Sequence, residues 1–357
     1  MGAEGLRTAD FEYDLPDGRV ARYPADRRDE SRLLVVRRGE RGVYGEAAPE
    51  LEDRRFRDLA GMVPEGDALV LNDSRVFPAR LRGRKPTGAP GEVLLLRPVE
   101  SDPSRRRWRA LVRPGGKLGP GRTLVVSGDL SVAVESVTEE GRVVRLEGEG
   151  DPMELVERHG VPPIPPYLDR EAEELDRERY QTVYARHTGS VAAPTAGLHF
   201  TEGTLDRLRE RGVRLVRVTL HVGVGTFRPV DAERPADHDL HEERYRVEPV
   251  AAAALNEVRD AGGKVWAVGT TATRTLETVV DEEGRFRAGS GETGLFIHPP
   301  YAFRGVDRLV TNFHLPRSSL LMLVSAFAGH QRTMRAYRHA VEAGYRFYSY
   351  GDAMAVL

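Results

Sequence analysis

Cysteine is absent from the 357 residues, which excludes disulfides, thiolate nucleophiles, iron–sulfur clusters and cysteine-ligated zinc. Radical chemistry that starts from a cysteine-held cluster goes with them. Lysine is scarce too: 50 Arg stand against 3 Lys, and Asn and Gln together number five. Codon bias in a GC-rich genome accounts for that pattern without a functional cause. Long apolar runs are missing. The most apolar stretch, residues 320–328, falls far short of the roughly 20 residues that span a bilayer. Residues 1–11 hold acids where a secretion signal needs a basic start and an apolar run, and Leu6 breaks the MGxxx(S/T) lipidation pattern. The expectation is a cytoplasmic chain that does not touch a membrane.

Hydrophobic residues make up 40% of the chain, enough for a large core, and the length predicts about two or three domains. The net charge of −2 conceals an asymmetry. Residues 74–122 hold 13 Lys or Arg against Glu92, Glu100 and Asp102, so this segment is +10 and the remainder −12. A basic module joined to an acidic body suits contact with nucleic acid; a solvated, arginine-rich surface is the plain alternative.

From Asn72 to about Asp151 short apolar runs (EVLLL, RWRALV, RTLVV, LSVAV, GRVVRLEG) alternate with Pro and Gly, which predicts a small β-barrel. After Asp151 the grammar is α/β. Thr201 caps a helix carrying Leu205 and Leu208 that stops at Gly212, and VRLVRVTLHV follows as a strand. AAAALNEVRDAGG, KVWAVG and TATRTLETVV read as helix, strand and helix. DRLVTNF, HLPR and residues 318–328 read as strand, loop and helix, before one more helix near Met334 and a final strand YRFYSYG. The economical architecture is an α/β catalytic domain from residues 1–71 and 152–357, with a β-barrel inserted at 72–151.

Ligands of an open α/β sheet bind beyond the carboxyl ends of its strands. Alternation along VRLVRVTLHV puts Arg217, Thr219 and His221 on one face, and the following loop, GVGTFRP, contains Gly223, Gly225, Thr226 and Arg228. It lacks full GxGxxG spacing, so a tight turn explains it equally well. After KVWAVG, Thr270, Thr271 and Arg274 stand where a helix start offers amide donors to a carboxylate or phosphate; simple N-capping by a threonine is the plain reading. After DRLV come Asn312 and His314. A lone histidine is more often structural, but three strand ends delivering polar groups to one edge exceed what structure alone requires, and these three turns are expected to line a common cavity. His238-x-x-His241, followed by Glu242 and Glu243, departs from HExxH, so acid–base work by His241 or Glu243 is preferred to metal ligation and no metal is expected. The small-residue segment VYARHTGSVAAPTAGLHFT reads as a close-fitting pocket wall with Ser190, Thr195, Gly197 and His199, or as a packed buried loop.

Taken together, DFEYDLP, SRLLVV, LNDSRVFPARL, VPPIPPYLDR, YQTVYA, GSVAAPTAGLHFT, TLHVGVGTFRPV, HDLHEERY, VGTTATRTLE, VTNFHLPRSSLLMLVSAFAG and YRFYSYGDAM resemble, nearly end to end, the S-adenosylmethionine:tRNA ribosyltransferase-isomerases of queuosine biosynthesis. Departures such as GVGTF for GAGTF, TTATRT for TTSVRT and NDSRVFPAR for NNTKVIPAR keep size or charge. The resemblance implies an α/β domain with an inserted barrel. It also implies transfer of the ribosyl part of S-adenosylmethionine to 7-aminomethyl-7-deazaguanine at the tRNA wobble position, rearrangement to an epoxycyclopentane, loss of adenine and methionine, and no separate cofactor.

For that chemistry the candidate proton-transfer groups are His221, His241, Glu243 and His314. The turn at Thr270, Thr271 and Arg274 is expected to take the methionine carboxylate, and Asn312 or the GVGTF amides to read the base. Arg75, Arg80, Arg105, Arg106, Arg107 and Arg228 are the expected tRNA phosphate contacts, and a monomer is expected. Three other readings remain: an RNA methyltransferase, although its glycine-rich loop and acidic ribose ligand are missing from the expected place; a noncatalytic tRNA-binding protein; and a metallohydrolase using His238 and His241.

Overall fold

The computed structural model describes residues 5–38, 50–223 and 230–357. Its strands are β1 (Arg32–Arg37), β2 (Glu50–Arg55), β3 (Ala68–Asn72), β4 (Ser74–Val76), β5 (Arg80–Arg84), β6 (Pro90–Pro98), β7 (Arg107–Arg113), β8 (Thr123–Val125), β9 (Ser131–Thr138), β10 (Gly141–Glu147), β11 (His187–Ser190), β12 (Arg214–Leu220), β13 (Glu243–Val247), β14 (Val265–Val268), β15 (Gly289–Thr293), β16 (Arg308–Asn312) and β17 (Ala353–Val356). Nine form one sheet in the order β15-β13-β12-β3-β14-β16-β17-β1-β2, and β5 to β10 close a six-stranded barrel. The fold class is therefore α/β with a β-barrel, as the sequence pattern predicts.

Within the large sheet β12, β3, β14 and β16 run parallel side by side. Parallel strands need cover on both faces, and the alternation along these strands supplies two cores. Val70, Val216, Val218 and Ala267 pack with Leu255, Leu276 and Leu321 on one side, while Leu69, Leu71, Trp266 and Val310 pack with Leu205 and Leu208 on the other. The helix Glu202–Glu210 starts where Thr201 accepts from the Thr204 amide at 3.1 Å. Ser318 likewise caps Ser319–Ala328 through the Leu321 amide at 3.2 Å. Such caps contribute about 1 kcal/mol each. No helix among the described residues is long and apolar enough to cross a membrane.

Two features depart from the sequence reading. YRFYSYG forms no strand: Tyr345, Phe347, Tyr348 and Tyr350 are all buried, Tyr348 adopts φ +76°, and the stretch turns into β17, whose four residues take the slot beside β16. Four aromatic anchors packed around a bend outweigh the strand propensity that their side chains advertise. The helix Pro152–His159, assigned by pattern to the body, inserts Leu155 and Val156 into the barrel core beside Leu130, Val132 and Leu146. It plugs the barrel. The barrel then joins the body through backbone hydrogen bonds between Arg80 and Val161 of 3.3 and 3.0 Å.

Candidate active site

The four parallel strands end at Leu220, Asn72, Val268 and Asn312, so the turns beginning with His221, Asp73, Gly269 and Phe313 share one edge. Residues 187–199 lie across that edge. The Val191 amide donates to Val222 O at 3.1 Å, and Ser190 Oγ accepts from the Val222 amide at 3.0 Å. Gly197 is required there because a Cβ would fall 2.1 Å from the Tyr184 hydroxyl. Beyond this cover, between body and barrel, lie a cavity of about 920 Å³ and one of about 160 Å³, with Val191 and Gly223 lining both.

His221 lines the smaller cavity with His241, Glu243, Arg97 and Glu140. Its ring rests on Gly189, where any Cβ would fall 2.7 Å from Cε1 and Nδ1, and its amide donates to Arg244 O at 2.9 Å. Burial, then the charges of Arg244 and His187, lower its pKa to about 4. A neutral imidazole at physiological pH is available as a base. Arg97 reaches Glu292 of β15 at 3.0 Å, so the barrel is tied to the sheet edge over this cavity.

Glu243 serves the wall of the same cavity. Oε1 accepts from the Gly223 amide at 2.8 Å and Oε2 pairs with Arg274, both side chains being buried. Arg274 also donates to Leu295 O at 2.9 Å and Thr293 O at 3.1 Å. Arg274 is thus committed to the wall instead of waiting for a substrate carboxylate. Thr270 and Thr271 do not cap: the helix Gly269–Val279 starts directly from the strand with Val268 at the cap position, and Thr271 Oγ1 accepts from Asn72 Nδ2 at 3.1 Å.

Asn312 and His314 share the sheet edge but lie under the covering segment. Asn312 Nδ2 donates to His199 Nε2 at 3.0 Å and to Tyr348 O at 3.1 Å, while His199 Nδ1 meets Ser31 Oγ at 2.8 Å. His314 Nε2 meets Thr311 Oγ1 at 2.8 Å. Burial lowers the pKa of His199 and of His314 to about 3. Of the three expected turns only the one at His221 borders the cavities; Gly189, Val191 and Ala192, rather than Ser190, Thr195, Gly197 or His199, present the covering segment to them. His238 packs on Phe296 at 5.3 Å between ring centroids.

Two buried neutral histidines make stability depend on pH in a definite direction. Their folded pKa values lie below the unfolded 6.5, so the unfolded chain binds more protons between pH 6.5 and 3, and stability falls as pH drops through that window. Each is expected to cost about 2 kcal/mol at pH 5 relative to pH 8. Urea titrations of wild type and of His314→Gln should show a shallower acid slope in the variant. An identical slope would remove His314 from the account.

The sequence reading passed over Asn72, Asp73 and Gly189. Asn72 clamps β12 through Leu220 O and N, each at 3.0 Å, and buried Asp73 accepts from Thr219 Oγ1 at 2.7 Å with His187 Nε2 at 3.7 Å. Burial raises the Asp73 pKa. The available signal was Asn-Asp-Ser directly after the apolar strand ALVL.

The expected phosphate contacts divide. Arg75 and Arg105 are exposed. Arg106 instead donates to Gly148 O and Gly150 O at 2.9 and 2.7 Å, Arg107 pairs with Glu135 at 2.7 Å, and Arg80 donates to Ile164 O at 3.1 Å. Those three support the fold. Gly225, Thr226 and Arg228 lie outside the described residues.

A profile of the queuosine biosynthesis protein family matches residues 8–356. The curated S-adenosylmethionine:tRNA ribosyltransferase-isomerase of Symbiobacterium thermophilum is 53% identical, over 99% of this chain and 100% of that one. The protein of the same name from Moorella thermoacetica is 50% identical, over 99% and 100%. The crystal structure of S-adenosylmethionine tRNA ribosyltransferase from Thermotoga maritima aligns with a TM-score of 0.55 at 38% identity, covering 98% of this chain and 100% of that one. The chain belongs to the queuosine biosynthesis protein family, that of the S-adenosylmethionine:tRNA ribosyltransferase-isomerases.

Proposed function

We propose that this chain transfers the ribosyl part of S-adenosylmethionine to the aminomethyl group of 7-aminomethyl-7-deazaguanine at the tRNA wobble position and isomerises it, giving epoxyqueuosine and releasing adenine and methionine. S-adenosylmethionine is consumed as a substrate, no separate cofactor takes part, and the enzyme acts as a cytoplasmic monomer. The end-to-end likeness to relatives of that name supports the reading. The observation that carries the mechanism is the position of the His221 imidazole, packed on Gly189 at the wall of a cavity between barrel and body, where burial favours its neutral form.

A sulfonium acidifies the hydrogens on its adjacent C5′. A desolvated base that is unprotonated at neutral pH removes one of them, leaving the ylide that opens the rearrangement. His221 has those properties. His241, exposed on the same cavity, gives a proton to the departing adenine in this reading. Glu243 fixes the Gly223 turn between the two cavities.

Incubation with S-adenosylmethionine and tRNA carrying 7-aminomethyl-7-deazaguanine is expected to release adenine and methionine in equal amounts. Formation of S-adenosylhomocysteine with a methylated RNA would replace this reading by a methyltransferase. Tight tRNA binding with no small-molecule product would leave a binding protein.

A further inference from the structure

The larger cavity has a charge pattern that the fold does not use. It lies where the barrel faces residues 163–166, Pro-Ile-Pro-Pro, a wall stiffened by fixed proline φ angles. Three carboxylates line it and each has an arginine: Glu92 lies 3.7 Å from Arg80 and 3.4 Å from Arg82, Asp169 lies 2.8 Å from Arg22, and Glu171 pairs with Arg82. Arg170, also on the wall, pairs with Asp176 at 2.7 Å. Arg113 and Arg142 stand outside this pairing. Among the described residues, exposed Arg113 has no carboxylate at ion-pair distance, Glu92 opposite it on β6 being turned to Arg80 and Arg82, and Arg142 meets main-chain oxygens, Gly141 O at 2.9 Å and Gly115 O at 3.3 Å, with no hydrogen-bond partner to its buried Nε. Two guanidinium groups on one cavity with no ion pair among the described residues favour an anion with oxygens to share.

Size and connection point to the anion's source. About 920 Å³ is at the top of the range for small-molecule sites, roughly 300–1,000 Å³. Because Val191 and Gly223 line both cavities, a chain seated in the larger one reaches the wall that carries His221. We propose that this cavity seats the unpaired nucleotides of the anticodon loop, with Arg113 and Arg142 neutralising their phosphates. The barrel thus docks RNA by its cleft-facing end. Arg107 starts β7 at its other end, about 20 Å away along the strand, and Arg105 precedes it. Splayed bases of a single-stranded loop fill the cavity while the backbone supplies the charge-dependent affinity. The inference rests on the proposed tRNA reaction for the identity of the RNA.

The test is the affinity of an anticodon stem–loop carrying 7-aminomethyl-7-deazaguanine, followed by fluorescence anisotropy across a salt series for wild type, Arg113→Glu, Arg142→Gln and Arg105→Glu. Arg113→Glu is expected to weaken binding about tenfold near 0.1 M salt and to reduce the log–log salt slope by about 0.7 or more, since each phosphate contact on a single strand contributes that much. Arg105→Glu should match wild type. Arg113 stands opposite Glu92 across β6 and β7, so Arg113→Gln is measured beside Arg113→Glu to separate lost charge from like-charge repulsion, and each variant, Arg142→Gln included, is compared at a temperature well below its own thermal transition. Wild-type affinity and slope for Arg113→Glu, or an equal loss for Arg105→Glu, would overturn the proposal. Adenine release by wild type is measured in parallel: its absence removes the reaction, whereas the binding data still decide the docking surface.

Discussion

Replacing His221 with glutamine is expected to lower kcat about a thousandfold while the Kd of S-adenosylmethionine changes by no more than a few-fold, because a general base acts in the transition state and not in substrate binding. The geometry singles out this histidine. His314 is in the core against Thr311 and His199 is held between Ser31 and Asn312, whereas His221 lies on the wall of the cavity of about 160 Å³ between barrel and body. A loss smaller than about tenfold would remove it from proton transfer. With a pKa of about 4 in the free enzyme, the acid limb of kcat/KM belongs near that value, well below an ordinary histidine. Arg244→Gln takes away a neighbouring positive charge and should move the limb upward. Acid unfolding is separated from titration by returning samples to neutral pH before a second assay. Gly189→Ala supplies an independent check. Its Cβ would intrude on the imidazole at 2.7 Å and sit at φ +154°, so kcat should fall through displacement of the ring, with some loss of stability that a urea titration records separately.

Much of this arrangement is legible from the chain alone because it is encoded locally. Short apolar runs punctuated by Gly and Pro announce the barrel, Thr201 and Ser318 announce helix starts, and alternation along β12 brings His221 to a strand end. The selection among polar groups at the sheet edge is not encoded locally. It depends on residues 187–199 lying over the strand ends, which buries Asn312 against a histidine 113 positions away and leaves Val191 facing the cavity. No period or motif marks that cover. The basic stretch of the barrel misleads for a related reason: Arg106 and Arg107 add to the count of charge, but main-chain oxygens and Glu135 already occupy them. Charge counted along a sequence does not separate structural guanidinium groups from available ones. The aromatic run YRFYSYG reads as a strand because the same side chains favour sheets and buried bends.

Arg274→Met is expected to destabilise the fold by about 3–5 kcal/mol, because it breaks a buried ion pair by removing one partner. Both side chains of the pair are nearly inaccessible, at 3% and 4% exposure, so water cannot take over the missing partner. The damage should also reach the site. Glu243 holds the Gly223 amide with its other oxygen, and a carboxylate that moves to find solvent pulls that turn out of line. Replacing both partners, Arg274→Met with Glu243→Leu, removes both charges and should recover most of the lost stability, since apolar groups of similar volume substitute well for a buried ion pair. Activity should not return, because the Gly223 amide then has no side-chain acceptor to fix the wall between the two cavities. Urea unfolding and adenine release measured on the same three proteins separate the effects. If the double variant regains turnover along with stability, Glu243 does no more than neutralise Arg274, and the placement of the Gly223 turn must come from elsewhere.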